Sequence, residues 1–398
     1  MRVCVVTTSY PRYPGDVSET TSGAIVRHLV ARTGVEVTVL APGDAGAPPR
    51  EESPGLEVRR ILYFWPARLQ KLAYGAGIPW NLRGSVLAWL NLPTFFLAFA
   101  WAIWRHARRA DLVHAHWGGL GALAVALRPL HRRPVVVTIL GSDWRTRLAP
   151  VRWLSGWAVR HADAVTAPCQ DFAASFRALR GDGQNVWFLP IGVDAPPAAE
   201  IERRPAASAA TPGPHLASVG RLVPERHHDN LVRALARVRE RFPTAHLTII
   251  GDGPQRQPLD ALVQELGLAG AVTLTGLAPR HALLADLKSA DIYVSPTSID
   301  AFGTATVEAA AYGLPIITTR VGFPAELVAD GVTGYVIPPE DVGALVEALV
   351  KMCDLGPEGR RAMGRRMRQR FDALGLTWPR VTERLVAIYQ ACTGGKHR

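Results

Sequence analysis

The stretch Ser295-Pro296-Thr297-Ser298-Ile299-Asp300-Ala301-Phe302-Gly303-Thr304-Ala305-Thr306-Val307-Glu308-Ala309 decides the fold. It starts where the apolar run Ile292–Ser295 ends, crosses a polar turn to Gly303, and enters the helix-like segment Thr304–Tyr312. A short apolar strand feeding a turn and then a helix is one step of a parallel βα series. The step repeats outward. In the same half, strands are read at His215–Val219, Leu247–Ile250, Val272–Thr275, Ile316–Thr318 and Tyr335–Ile337. Helices are read at Asn230–Arg241, Gln257–Leu266, Val342–Met352 and Arg360–Arg370. Upstream, strands at Val3–Thr8, Glu36–Leu40, Leu56–Ile61, Leu112–Ala115, Val135–Ile139, Ala164–Ala167 and Val186–Leu189 alternate with segments such as Ala24–Arg32 and Arg145–His161. The expectation is an α/β chain of two Rossmann-like domains. Residues 195–214, rich in Pro and Ala, read as a linker or crossover. Pro379–Ala391 reads as a last helix, set off by a break at Trp378-Pro379.

Open α/β sheets bind ligands at the carboxyl ends of their strands, so two such sheets facing each other make a cleft. In the opening stretch, amides at the helix start suit phosphate oxygens, and Gly303 lets a ligand approach the backbone. Asp300 either caps that helix or hydrogen-bonds sugar hydroxyls. Glu308 sits among Ala305, Val307, Ala309, Ala310 and Ala311, where a carboxylate requires a partner; a ribose diol would serve. Ser218-Val219-Gly220-Arg221 and the nearby Arg226 put two guanidinium groups at a strand end, which suits a diphosphate. Solvated surface is the bland alternative in an Arg-rich chain. Gly251 and Gly253 make no dinucleotide fingerprint, because Arg256 stands where the third glycine belongs.

These motifs resemble the retaining glycosyltransferases of family four, which have the two-domain GT-B fold. The family's donor motif, Glu, seven residues, then Glu, here reads Asp300…Glu308 with Phe302-Gly303 in place. Ala290-Asp291-Ile292-Tyr293-Val294-Ser295-Pro296-Thr297, Gly313-Leu314-Pro315, Gly331-Val332-Thr333-Gly334, Gly251-Asp252-Gly253-Pro254 and Gly220-Arg221 match as well. The resemblance implies that Arg221 and Arg226 grip the donor diphosphate and that Glu308 holds the ribose. It implies that Asp300 and the backbone at Phe302, Gly303 and Thr304 hold the sugar and phosphates, with Gly251 nearby. Three positions depart: Arg226 for the family's Lys, His227 for Gly, and Asp300 for Glu.

In the first half, Asp111-Leu112-Val113-His114-Ala115-His116 matches the family's Asp-hydrophobic-Val-His-x-His, whose second His faces the reaction centre. A histidine satisfied in the core is the alternative for His116. Tyr10 lies in the loop after strand one. Gly23 matches one glycine of a glycine-rich loop that covers donor phosphates and acceptor, with Ser22 replacing its neighbour. Leu140-Gly141-Ser142-Asp143 resembles a His-Gly-x-Asp element, and Asp143 is read equally as a helix cap. Pro190-Ile191-Gly192-Val193-Asp194 resembles the segment closing the first domain. The expected division is residues 1–194 for the acceptor domain, 195–378 for the nucleotide-sugar domain, and 379–398 for a helix returning to the first domain.

Lys and Arg total 45 against 34 Asp and Glu, a net charge of +11 that suits phosphate-bearing substrates and anionic membranes. No nucleic-acid partner is expected. The four cysteines are scattered, without metal-ligand spacing or a disulfide framework, and the N-terminus shows no signal peptide. A cytoplasmic enzyme, possible at the inner membrane face, is the expectation. Residues 86–104 carry no charge and are long enough to raise a membrane span. Asn91 and Pro93 interrupt the run, so a packed helix or one lying at the bilayer interface is preferred. Trp65, Arg68, Lys71 and Tyr74 add an aromatic and basic mix upstream.

The expected activity is transfer of a sugar from a nucleoside-diphosphate sugar to a hydroxyl acceptor with retained configuration. The acceptor is a lipid-linked sugar, glycolipid, polysaccharide precursor or natural product. Neither a cofactor nor a metal is expected. The rival readings are a phosphorylase or synthase of the same fold, a dinucleotide oxidoreductase, and a non-catalytic nucleotide-sugar-binding membrane protein.

Overall fold

The computed structural model describes residues 1–398 apart from 14–15, 17–20, 45, 75–76, 142, 147, 182, 198–199, 202–212, 278–279 and 395–398. Most of the expected linker, and Ser142, lie outside the described residues. The chain forms two compact units, Met1–Gly192 with Trp378–Arg398, and Val193–Thr377.

The first unit holds strands β1 (Arg2–Val6), β2 (Glu36–Pro42), β3 (Arg50–Ser53), β4 (Leu56–Ile61), β5 (Leu112–His116), β6 (Val135–Thr138), β7 (Ala164–Ala167) and β8 (Val186–Phe188). Their order is β3-β4-β2-β1-β5-β6-β7-β8, parallel except for the antiparallel β3–β4 pair. The central strands are buried along their length, Val135–Thr138 entirely, as befits a parallel sheet covered on both faces. The sequence reading lacks β3, and the reason is chemical. Arg50-Glu51-Glu52-Ser53 has no apolar alternation and caps the sheet edge with charge.

Order reverses between β1 and β5, so the crevice of this sheet opens where Val6 and His116 end their strands. The helix Val86–Ala107 crosses over from β4 to β5 and runs unbroken through Pro93, which the sequence reading took as an interruption. The last helix, Trp378–Gly394, joins this unit. Trp378 stacks on His28 at 4.9 Å and fits against Gly192, where a Cβ would meet its ring at 2.5 Å. Pro379 is the helix's second residue rather than a break, and its missing N–H falls where no helical acceptor exists.

The second unit has six parallel strands: β9 (His215–Val219), β10 (His246–Ile250), β11 (Val272–Gly276), β12 (Ile292–Ser295), β13 (Ile316–Thr319) and β14 (Gly334–Ile337). Their order, β11-β10-β9-β12-β13-β14, is the Rossmann order 3-2-1-4-5-6. Leu216, Leu247, Ile249, Ile292, Val294 and Ile317 fill its core, packed against Leu235 and Leu349 from the covering helices. The switch point lies between β9 and β12, so Gly220-Arg221 and Pro296-Thr297 leave adjacent strands side by side.

Candidate active site

In the second unit, the loops after β9 and β12 are knitted together. Ser298 N–H donates to the Glu225 carbonyl at 3.0 Å, and Thr297 Oγ1 donates to the same carbonyl at 2.9 Å. Gly251 and Gly253 serve this assembly. A Cβ at Gly251 would lie 1.9 Å from the Gly220 carbonyl oxygen, and one at Gly253 would lie 2.5 Å from that of Leu222. Their spacing therefore reflects close approach of two loops.

Arg226 Nη1 donates to Asp300 Oδ2 at 2.5 Å. Asp300 Oδ1 accepts from Ala301 N–H at 2.8 Å and Gly303 N–H at 2.9 Å. Asp300 thus ties the turn ahead of the helix to Arg226 and does not cap the helix itself, whose N-cap position is Gly303. Two departures from the family pattern are partners of each other. Aspartate is one methylene shorter than glutamate, and the forked arginine reaches it.

Gly303 has φ +66°, and a Cβ there would meet Pro324 Cγ at 2.6 Å. It precedes the helix Thr304–Ala311, whose first-turn amides have no acceptor within the helix. Glu308 is buried, not solvent-facing. Tyr293, missed by the sequence reading, is also buried. Its phenol bonds Thr306 and is held well above its ordinary pKa by burial, within the fields of Arg226, Asp300 and Glu308. Phe302 stacks on Phe323 at 4.8 Å. Arg221 is exposed, and no bond among the described residues ties it to Arg226 or Asp300.

His227 adopts φ +48°, the left-handed conformation that explains why the family uses glycine here. Its Nε2 lies 2.8 Å from Ser298 Oγ, a bond that glycine could not make. His228 is buried, with Nδ1 lacking a partner among the described residues. Burial pushes its pKa down to about 4, assisted by Arg226 and His227. The sequence carried no signal for it beyond adjacency to Arg226.

In the first unit the two histidines of β5 separate into different roles. His114 Nδ1 lies 2.6 Å from Tyr389 Oη and its Nε2 lies 2.7 Å from Thr138 Oγ1, so it is a satisfied core histidine. His116 uses only Nδ1, which lies 3.1 Å from Ser22 Oγ. Its Nε2 has no partner among the described residues, and burial pushes its pKa down to about 4, so the ring is neutral.

Ser22 Oγ lies 3.1 Å from Thr7 Oγ1, and Thr7 Oγ1 lies 2.9 Å from the Ser9 carbonyl. Thr7 Oγ1 donates to Ser22 Oγ or to the Ser9 carbonyl, and Ser22 either gives its proton to His116 Nδ1 or takes one from it. Ser22, a departure from the family glycine, thereby holds the ring in place, with Gly23 beside it buried in the helix Thr21–Thr33.

Trp117 follows at φ +97°, a strained position for a bulky residue. Asp143 is buried and accepts from Gly118 N–H at 2.7 Å, so it caps the helix Gly118–Ala126. Tyr10 is buried under the Arg60 guanidinium, 5.5 Å from its ring centroid, and burial pushes its phenol up to about 12.

Two Rossmann-ordered units, one with a cationic helix-start crevice and the other with a neutral buried histidine, define a sugar-transferring enzyme of the two-domain kind. Residues 200–370 match the family described as Glycosyl transferases group 1, and residues 18–192 match the Glycosyl transferase 4-like domain. The chain is 28% identical to a glycogen synthase of Mycobacterium tuberculosis over 419 residues, covering 100% of this chain and 96% of the relative. It is 30% identical to a GDP-mannose-dependent alpha-(1-6)-phosphatidylinositol monomannoside mannosyltransferase of Mycolicibacterium smegmatis, over 62% of this chain and 68% of that protein. Its fold matches a sucrose-phosphate synthase of Thermosynechococcus elongatus with a TM-score of 0.79, at 22% identity over 99% and 100% of the two chains. The chain belongs to family four of the retaining glycosyltransferases, with the GT-B fold. Transfer of a sugar from a nucleoside-diphosphate sugar to a hydroxyl acceptor, the activity read from the sequence, is the activity of that family.

Proposed function

We propose that this enzyme transfers a hexose to a hydroxyl of a lipid-linked acceptor at the cytoplasmic face of the membrane, without a metal ion. The observation that carries the donor side is the bonded run Arg226–Asp300–Gly303 at the start of the helix holding the buried Glu308. Arg226, Arg221 and the free first-turn amides would neutralise the departing diphosphate, and Glu308 would hold the ribose. As the anomeric C–O bond breaks, its electron pair passes to the diphosphate. The acceptor oxygen forms the new bond on the same face and gives its proton to a diphosphate oxygen. His116 Nε2 would exchange a hydrogen bond with an acceptor or donor hydroxyl.

The metal-independent reading is supported by the guanidinium groups. The lipid-linked acceptor is supported by the similarity to the phosphatidylinositol monomannoside mannosyltransferase of Mycolicibacterium smegmatis and by the apolar helix Val86–Ala107.

Thermal-shift screening of a nucleotide-sugar panel identifies the donor, and turnover of that donor is then measured for Glu308→Ala and Arg221→Ala. Loss in both is expected. Near-normal turnover in both would overturn the donor assignment.

A further inference from the structure

The helix Val86–Ala107 is apolar on two opposite faces. Ala88, Asn91, Phe95, Phe99, Ala102 and Ile103 point inward and are buried. Val86, Leu90, Pro93, Leu97, Trp101 and Trp104 follow each other three or four residues apart along the outside and are exposed, Leu97 at 71% and Trp101 at 59%. Apolar residues outside as well as inside call for a second apolar neighbour.

The helix is the crossover between β4 and β5, and its inner face is fixed in the unit. Asn91 Oδ1 accepts from Lys71 N–H at 2.8 Å, Tyr63 meets Phe95 edge-on at 5.2 Å, and the Trp89 indole donates to the Leu82 carbonyl at 2.8 Å. A helix held in this way cannot leave the sheet to span a bilayer. It can lie against one.

The charge at its end selects the neighbour. Between Val86 and Arg109 there is no carboxylate, while Arg105, Arg108 and Arg109 close the segment. Arg105 stacks over Trp101 and Arg108 over Trp104, each 5.5 Å from the ring centroid. The indole N–H groups of Trp101 and Trp104 meet no partner among the described residues. A second copy of this chain docked by the same face would bring no carboxylate from this segment to the arginines, whereas anionic headgroups neutralise them.

We propose that the outer face of Val86–Ala107 is a membrane seat. Leu97, Trp101 and Trp104 lie at the boundary between headgroups and acyl chains, and Arg105 and Arg108 lie on anionic phosphates. The proposal deepens the reading of a lipid-linked acceptor at the membrane and rests on it for its purpose.

The test is co-sedimentation of the full chain with vesicles of phosphatidylcholine alone and of phosphatidylcholine mixed with phosphatidylglycerol, at low and high salt. Wild type is expected to sediment with the mixed vesicles and to be partly released by salt. Arg105→Gln/Arg108→Gln is expected to weaken that binding on the order of 25-fold, at about fivefold per arginine. Trp101→Ser/Trp104→Ser is expected to abolish it. Both variants should keep the wild-type unfolding midpoint and wild-type turnover of the nucleotide sugar in lipid-free solution. Equal sedimentation of all three proteins, or of wild type with both vesicle types, would overturn the seat. So would a lipid-free dimer that both variants dissolve. Loss of donor turnover in wild type would instead strike the enzymatic reading, leaving vesicle binding a separate measurement.

Discussion

The two switch points use the same topology with opposite chemistry. In the first sheet the crevice beside β1 and β5 holds a neutral imidazole oriented through two hydroxyls, His116 to Ser22 to Thr7. In the second sheet the crevice beside β9 and β12 holds ions, Arg226 against Asp300, at the positive end of a helix. A departing diphosphate needs fixed positive charge. A hydroxyl needs an uncharged acceptor of hydrogen bonds, and burial supplies one by keeping His116 unprotonated.

The sharpest way to break this comparison lies within β5. His116→Ala is expected to lower kcat by on the order of a hundredfold or more with little change in unfolding midpoint. His114→Phe should do the reverse. It strands the Tyr389 hydroxyl at a cost of about 1–3 kcal/mol, while Thr138 keeps its bond to Thr166, yet the folded fraction should remain active. Paired kinetics and denaturant titrations read both effects, and exchanged phenotypes would reverse the assignments.

Acid titration comes next. His116 and His228 are each held near 4 in the fold against 6.5 unfolded, so between these values the unfolded chain binds more protons. The stability they contribute is complete above pH 6.5 and is lost as pH falls towards 4, roughly 3 kcal/mol for each group. His116→Ala should flatten the fall in a series of unfolding curves across that window. An unchanged slope would show that the ring is not buried neutral.

A smaller effect tests the ionic crevice. Arg226→Lys and Asp300→Glu each restore the family residue alone, and each should lower turnover. The double variant should recover part of the loss, with a coupling of about 0.5–3 kcal/mol. Strictly additive losses would show that the two departures do not act as a pair. Smallest is His227→Gly. It removes the left-handed strain and the Ser298 bond together, so stability should stay within about 1 kcal/mol of wild type. A loss well beyond that would mean the histidine holds the loop.

Most of the second unit was legible because its signals are local. The run from Ile292 to Glu308 carries strand, turn and helix start within one stretch, and Gly303 declares its own backbone geometry. What escaped depends on distant partners. His114 and His116 look alike in sequence, and only Tyr389, 275 residues away, makes one of them structural. Ser22 reads as a lost glycine until its hydroxyl meets His116, and Asp300 reads as a shortened glutamate until Arg226 reaches it. Pro93 and Pro379 misled for another reason. A proline states a local cost, and the surrounding packing decides whether a helix bears it.

The first unit is written in two pieces, with its last helix encoded after the whole of the second. On the ribosome, the hydroxyl that satisfies His114 emerges only after the second unit has been made, so the first cannot mature before the second is complete. A fragment stopped at Gly192 would carry an unsatisfied histidine in its core. A soluble version of that half would require residues 378–394 to be joined back by a designed linker.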